Sequence, residues 1–193
     1  MSAQDLCMVE YMPELIKASI DSFKIEGRRR DPRYIETTAR VYREAINACY
    51  SPSVIPAQAE ISYKERARKW KRELKKVYNR GFSTGFYFGA PKKEGISFDK
   101  ADNQSPYKKV LLGKVLHFYP RPQVALVRLY HRGMRVGQEI FIEGEKINLH
   151  QKVESIEIEN KQVRSAKKGE DVGIRVKKPI KRGADVYIYK KEV

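Results

Sequence analysis

The spacing of apolar residues changes once along this 193-residue chain, and that change divides what each half can fold into. Between Ile35 and Val77 apolar side chains return every third or fourth residue, the spacing that lines one face of a helix. From Leu111 onward they alternate with polar ones, the period-two pattern of half-buried strands. The class this implies is α+β, with helices first and antiparallel strands after them. No stretch approaches the roughly 18 apolar residues of a membrane span, so a membrane is not an expected partner.

Local signals place the elements. Pro13 opens a short helical run, PELIKA, since the first helical position needs no amide donor. Ile20, Phe23 and Ile25, ended by Gly27, read as a short strand over residues 20–26 with Glu26 at its C-terminal edge. Asp31 and Pro32 form an N-cap and a first helical residue, and the stripe Ile35, Ala39, Tyr42, Ile46, Cys49 predicts an amphipathic helix behind them. SPSVIPAQAEIS reads as a loop because its two prolines break the period. A second helix is expected over residues 62–80, with Tyr63, Ala67, Trp70, Leu74 and Val77 on its apolar side.

After the glycine- and aromatic-rich GFSTGFYFGAP, residues 91–110 are polar enough to be a linker between a first unit, 1–90, and a second, 111–193. In the second, VLLGKVLHFY, QVALVRLY, GQEIFIEG, INLHQKVESIEIEN, DVGIRV and ADVYIYKK read as six short strands. Strands of that number and length suggest a small antiparallel β-barrel, whose closure removes exposed sheet edges.

The net charge of +16 is unevenly spread. Residues 1–60 are nearly neutral, whereas residues 61–80 hold nine Lys/Arg against two Asp/Glu, and residues 111–193 hold 18 against 10. Lys64, Arg68, Lys69, Lys71, Arg72, Lys75 and Lys76 cover much of the second helix outside its apolar stripe. Such a face can grip the phosphates of an RNA, and it can equally be a solvated surface whose long stems cover apolar area.

Sequence signatures of self-contained catalysis do not occur: there is no GxxxxGK[ST], HExxH, GxSxG or strand-linked GxGxxG. His117, His131 and His150 are widely separated and receive no role. Cys7 and Cys49 are too few for a disulfide framework and read as reduced thiols, with Cys49 packing on its helix. The acidic N-terminus lacks the basic start of a secretory leader, so a cytoplasmic location is expected.

One further pattern runs through the first 90 residues: Asp5-Leu6-Cys7, Pro13 to Ile16, Asp21 to Arg28, Tyr42-Arg43, and Thr84 to Gly89. In order and spacing these resemble peptidase family U32, the collagenase-like peptidases of unassigned mechanism. The resemblance implies that residues 1–90 form the last part of a TIM-type α/β barrel, with Glu26 and Arg28 as a charged pair facing substrate at a strand mouth. It implies a peptide substrate or, as in relatives that hydroxylate tRNA or quinones, an RNA one, tRNA above all. It also implies an iron–sulfur cluster or metal in the full-length family, with Cys7 as one ligand. One thiolate is short of the about four that such a cluster takes. VGQEIFIEG, VRSAKKGEDVGIRV and IKRGADVYIY are in turn similar to the second domain of elongation factor Tu. A parallel-barrel strand at 20–26 would need partners on both edges, which predicts a homo-oligomer. A non-enzymatic RNA-binding or assembly module is the other reading of the same residues.

Overall fold

The computed structural model describes residues 2–50, 56–90, 96–97, 103–145 and 147–192. They form two compact units, Met1–Pro106 and Tyr107–Val193.

In the first unit, β1 (Ser2–Ala3) and β2 (Asp5–Leu6) precede a 3-10 turn at Val9–Tyr11 and the short helix α1 (Met12–Lys17). Two long helices follow, α2 (Pro32–Cys49) and α3 (Pro56–Leu74), and then β3 (Phe82–Ser83) and β4 (Ile96–Ser97). β1 pairs antiparallel with β4, and β2 pairs parallel with β3. The Asp31 side chain accepts the Tyr34 amide at 2.9 Å, so α2 starts at the expected cap. Tyr63, Ala67, Trp70 and Leu74 of α3 are buried against Val41 and Ala45 of α2 and against Val9, Met12 and Leu15. Two polar handles fix this packing: the Tyr63 hydroxyl donates to the Val9 carbonyl at 2.7 Å, and the Trp70 indole N–H donates to Glu44 at 2.9 Å.

Several expectations are corrected here. Residues 20–27 are irregular, with Ile20 and Ile25 exposed, so Glu26 does not stand at a strand mouth. Apolar spacing can suggest a strand, but a strand exists only beside another backbone, and none is paired with this segment among the described residues. On α2 the buried line is Thr38, Val41 and Ala45, while Ile35 is 45% exposed. Tyr42, Ile46 and Cys49 of the predicted stripe still pack against this core, but the helix is turned so that Thr38, Val41 and Ala45 are the residues buried in it. The stretch read as a loop before residue 62 contributes α3 from Pro56 on; residues 51–55 lie outside the described residues. α3 ends at Leu74 rather than near residue 80. The Lys76 amide bonds only three residues back, to the Glu73 carbonyl, and the buried Asn79 amide takes the carbonyls of Lys75 and Val77.

The second unit runs through β5 (Tyr107–Tyr119), β6 (Val124–Leu129), β7 (Met134–Arg135), β8 (Glu139–Gly144) and β9 (Ile147–Lys152). It continues with β10 (Ile156–Ile158), β11 (Lys161–Val163), β12 (Ser165–Ala166), β13 (Asp171–Arg175) and β14 (Asp185–Lys191). Eight of these form one antiparallel sheet in the order β11-β10-β13-β6-β5-β14-β8-β9. β7 pairs with β12, and the Val136 amide donates to Arg164 while the Gly137 amide donates to Val153. These bonds tie the β8–β9 end of the sheet to the β11 end, curling it around a core of Leu112, Val115, Val127, Leu129, Ile140, Ile142, Ile156, Val172, Ile174 and Val186.

The six expected strands are all present, but INLHQKVESIEIEN breaks into β9 and β10, and β7, β11 and β12 are additional. β5 also begins inside the stretch read as linker, at Tyr107, because residues 107–109 pair with Tyr189–Lys191. Residues 91–95 and 98–102 of that stretch lie outside the described residues.

Candidate functional site

The strongest gathering of polar groups in the first unit is at the β2–β3 pair. The amides of Asp5 and Cys7 donate to the carbonyls of Gly81 and Ser83, each at 2.9 Å, which sets the Asp-Leu-Cys run beside the residues after α3. Asp5 then meets Arg80. The guanidinium donates through Nε and Nη2 to Oδ1 at 3.1 and 2.9 Å, and the Arg80 backbone amide donates to Oδ2 at 3.0 Å. An aspartate carrying this many donors is a neutralised strut between the two strands.

One step further in, the Tyr42 hydroxyl donates to the Cys7 sulfur at 3.8 Å and accepts the Met8 amide at 3.0 Å. Cys7 is 5% exposed. Burial pushes its thiol up, and burial together with the neighbouring sulfur pushes the Tyr42 hydroxyl up as well, so both stay protonated at neutral pH. Burial and then the Asp5 charge raise Tyr34 too. Arg30 lies over the Tyr78 ring at 3.7 Å.

Beside these groups is a cleft of about 440 Å3 lined by Asp5, Arg30, Tyr34 and Arg80 and by Ile20, Phe23, Ile25 and Glu26. A second cavity of about 40 Å3 reaches Cys7 and Tyr42. The mixture of aromatic rings, two carboxylates and two guanidiniums, one of them stacked on a ring, suits holding a polar, flat group. It is poorly suited to nucleophilic attack, since a cysteine nucleophile works as the thiolate and this thiol is held neutral. Cys7 is therefore expected to resist a thiol reagent at pH 8 in the folded protein and to react once denatured, followed by the absorbance of the released chromophore. Prompt stoichiometric labelling of Cys7 before unfolding, located by peptide mass, would contradict its burial.

The residues singled out in the sequence are distributed as follows. Glu26 lines the cleft, and its carboxylate accepts the backbone amide of Arg28 at 2.9 Å. The Arg28 side chain is exposed and does not line the cleft, so the two are joined through backbone rather than as an ion pair. Cys7 is in the wall, and Cys49 donates to its own helix at the Ala45 carbonyl. Among the described residues no group of three or more His, Cys, Asp or Glu is close enough to hold a metal, so an iron–sulfur cluster does not fit these residues by themselves.

On α3, Lys71 is ion-paired with Glu10, and Lys64 also has an interaction. Arg68, Lys69 and Arg72 lie on the side away from the core, and Lys75 and Lys76 are exposed just beyond the helix end. His150 stacks on Phe141 at 4.3 Å and His117 meets Tyr119 at 4.5 Å. Sequence reasoning missed Arg80, Tyr34 and Arg30 as parts of a site. Asp5 and Tyr42 belong to the recognisable motifs, and only the fold makes them meet Arg80 and Cys7.

Comparison with known proteins places these features. The model of peptidase family U32 matches residues 1–97. An uncharacterized protease of Methanocaldococcus jannaschii is 38% identical over 195 residues, which is 100% of this chain and 45% of that protein. A collagenase of Porphyromonas gingivalis is 32% identical over 99% of this chain and 44% of its own length. The tRNA hydroxylation protein P1 of Bacillus subtilis is 34% identical over 81% of this chain and 35% of its own length. The chain thus spans less than half the length of each of these three. Among solved structures, the C-terminal domain of a Geobacillus thermoleovorans U32-family protein aligns with a TM-score of 0.38 and 27% identity, over 43% of this chain and 92% of that domain.

Proposed function

The chain belongs to peptidase family U32, and from that premise we propose that it works on RNA, supplying the surface that holds a tRNA during its modification. The observation that carries this reading is the charge. Arg68, Lys69 and Arg72 of α3, with Lys75 and Lys76 beyond it, face solvent together on a chain of net charge +16. A cationic face of this kind draws a polyanion by releasing its condensed counterions. The relation to the tRNA hydroxylation protein supports the same direction. So does the chemistry of the two cavities, where Cys7 and Tyr42 are kept protonated. No described helix is long and apolar enough to cross a membrane, and two free thiols accord with a reducing, cytoplasmic setting.

Two relatives named as a protease and a collagenase favour a second reading, in which the substrate is a peptide. Salt separates the two. Binding of unmodified tRNA, followed by fluorescence anisotropy, is expected to weaken steeply as salt rises. The triple substitution Arg68→Gln, Lys69→Gln, Arg72→Gln is expected to reduce the log–log slope by about 2 to 3, or roughly 0.7–0.9 for each phosphate no longer neutralised. A flat salt dependence, together with cleavage of gelatin by the purified protein, would favour the peptide reading.

A further inference from the structure

Several basic residues of the second unit are paired with acids. Lys109 bonds Glu143, Arg128 bonds Asp171, Lys114 meets Asp185, Lys108 meets Glu192, and Lys177 meets Glu154. One cluster departs from this. Beside the β7–β12 ladder is a cavity of about 830 Å3 whose rim holds Arg132, Arg135, Arg164 and Lys190, with no carboxylate in its lining. Their side chains make no hydrogen bond or ion pair among the described residues, and all four are exposed. Under them the floor is apolar, made by the buried Met134 and Ala166 with Ile188.

The backbone builds this cavity from distant segments. Arg135 stands opposite Ser165 in the β7–β12 pairing, which sets Arg164 beside Val136 and brings the loop before β7 against the Ala166–Lys167 end of β12. Gly133 permits that approach: a Cβ there would be 2.2 Å from the Ala166 carbonyl oxygen. Lys190 arrives separately, from the end of β14.

We propose that this cavity is a phosphate-binding subsite for a single-stranded stretch of RNA. Four cations around one opening repel one another, and their potential is focused by the low-dielectric floor beneath them. An anion relieves that repulsion, and three of the four are guanidiniums, whose planar fork matches a phosphate with two parallel bonds. The floor offers apolar surface to the sugar and base that a phosphodiester carries. An extended strand fits better than an isolated anion because the cations are spread around a wide opening and exposed Lys167 and Lys168 directly follow β12. The proposal rests on the RNA reading above but concerns other residues, in the other unit, than the α3 face.

The test uses the full chain and a labelled oligouridylate, with unmodified tRNA alongside it. The double substitution Arg135→Gln, Arg164→Gln is expected to weaken oligouridylate binding at least about tenfold at low salt and to lower the salt slope by about 1.4, two phosphates at about 0.7 each for a single strand. Arg135→Lys, Arg164→Lys keeps the charge but not the fork and is expected to restore the salt slope while regaining only part of the affinity, which also separates a binding defect from misfolding. If the wild type binds both RNAs with a steep salt slope and the Gln pair changes nothing, the subsite is overturned while the RNA reading stands. If the wild type binds neither RNA, both fall. If adenosine monophosphate competes as well as the oligomer, or polyglutamate displaces it equally, the assignment to an RNA strand is overturned in favour of a free nucleotide or of non-selective anion binding.

Discussion

Replacing Trp70 by alanine is expected to destabilise the first unit by about 3–5 kcal/mol, the usual range for truncating a buried aromatic residue. Trp70 is 5% exposed at the centre of the α2–α3 contact. Its ring meets Tyr63 edge-on at 5.6 Å between centroids, and its N–H holds Glu44 of the facing helix. Truncation removes the largest side chain from this core and leaves a void that the surrounding helices can only partly close. The measurement is urea unfolding followed by far-UV circular dichroism at the helical band, since the chain's single tryptophan is absent from the variant. Trp70→Phe retains a ring but not the indole donor and is expected to cost less, about 1–2 kcal/mol. A loss below about 1 kcal/mol for the alanine variant would mean that the helices are not held together at this point.

In the second unit the largest single effect is expected from Gly113→Ala, about 3 kcal/mol, at the upper end of ordinary overpacking. Gly113 stands opposite Leu129 where β5 and β6 pair. A Cβ at this position would be 1.8 Å from the Arg128 carbonyl oxygen and 2.8 Å from its carbon. The atoms in the way are backbone, so no side-chain rotation relieves the clash, and the strands must part where the ladder crosses the core. Gly137 is a useful contrast: nothing lies within 4 Å of a Cβ there, and the obstacle is a φ of +84°. Gly137→Ala is therefore the milder change, about 1 kcal/mol, the cost of a left-handed backbone for an L-residue. Equal losses for the two variants in thermal unfolding would show that contact with the Arg128 carbonyl does not constrain β5.

How much of this is legible in the sequence depends on how local each cause is. The Asp31-Pro32 start of α2 and the Tyr63, Ala67, Trp70, Leu74 stripe of α3 are readable because capping and helical spacing act within a few residues. So is the alternation of β6, whose Ala125, Val127 and Leu129 point to the core. Ile20, Phe23 and Ile25 mislead for the complementary reason: their pattern is that of a strand, but a strand's hydrogen bonds belong to a neighbour that the local sequence does not contain. The end of α3 misleads too, since its lysines continue the helical rhythm while Asn79 takes the carbonyls that would carry it on.

The family motifs show the same division. Asp5, Cys7 and Tyr42 are recognisable by type and order, yet what they do is set by tertiary partners, Arg80 for Asp5 and the Tyr42 hydroxyl for Cys7. By itself the sequence determined the class of each half, the start of its best-defined helix, its basic charge and its family. Only the tertiary structure decided which cations find acids and which do not. Arg132, Arg135, Arg164 and Lys190 come from separate points of the chain, and they share one rim because β7 pairs with β12 and β14 ends beside them. Charge is a property of composition, but an unpaired cluster of it is a property of distance, and distance between remote residues is fixed only when the backbone closes.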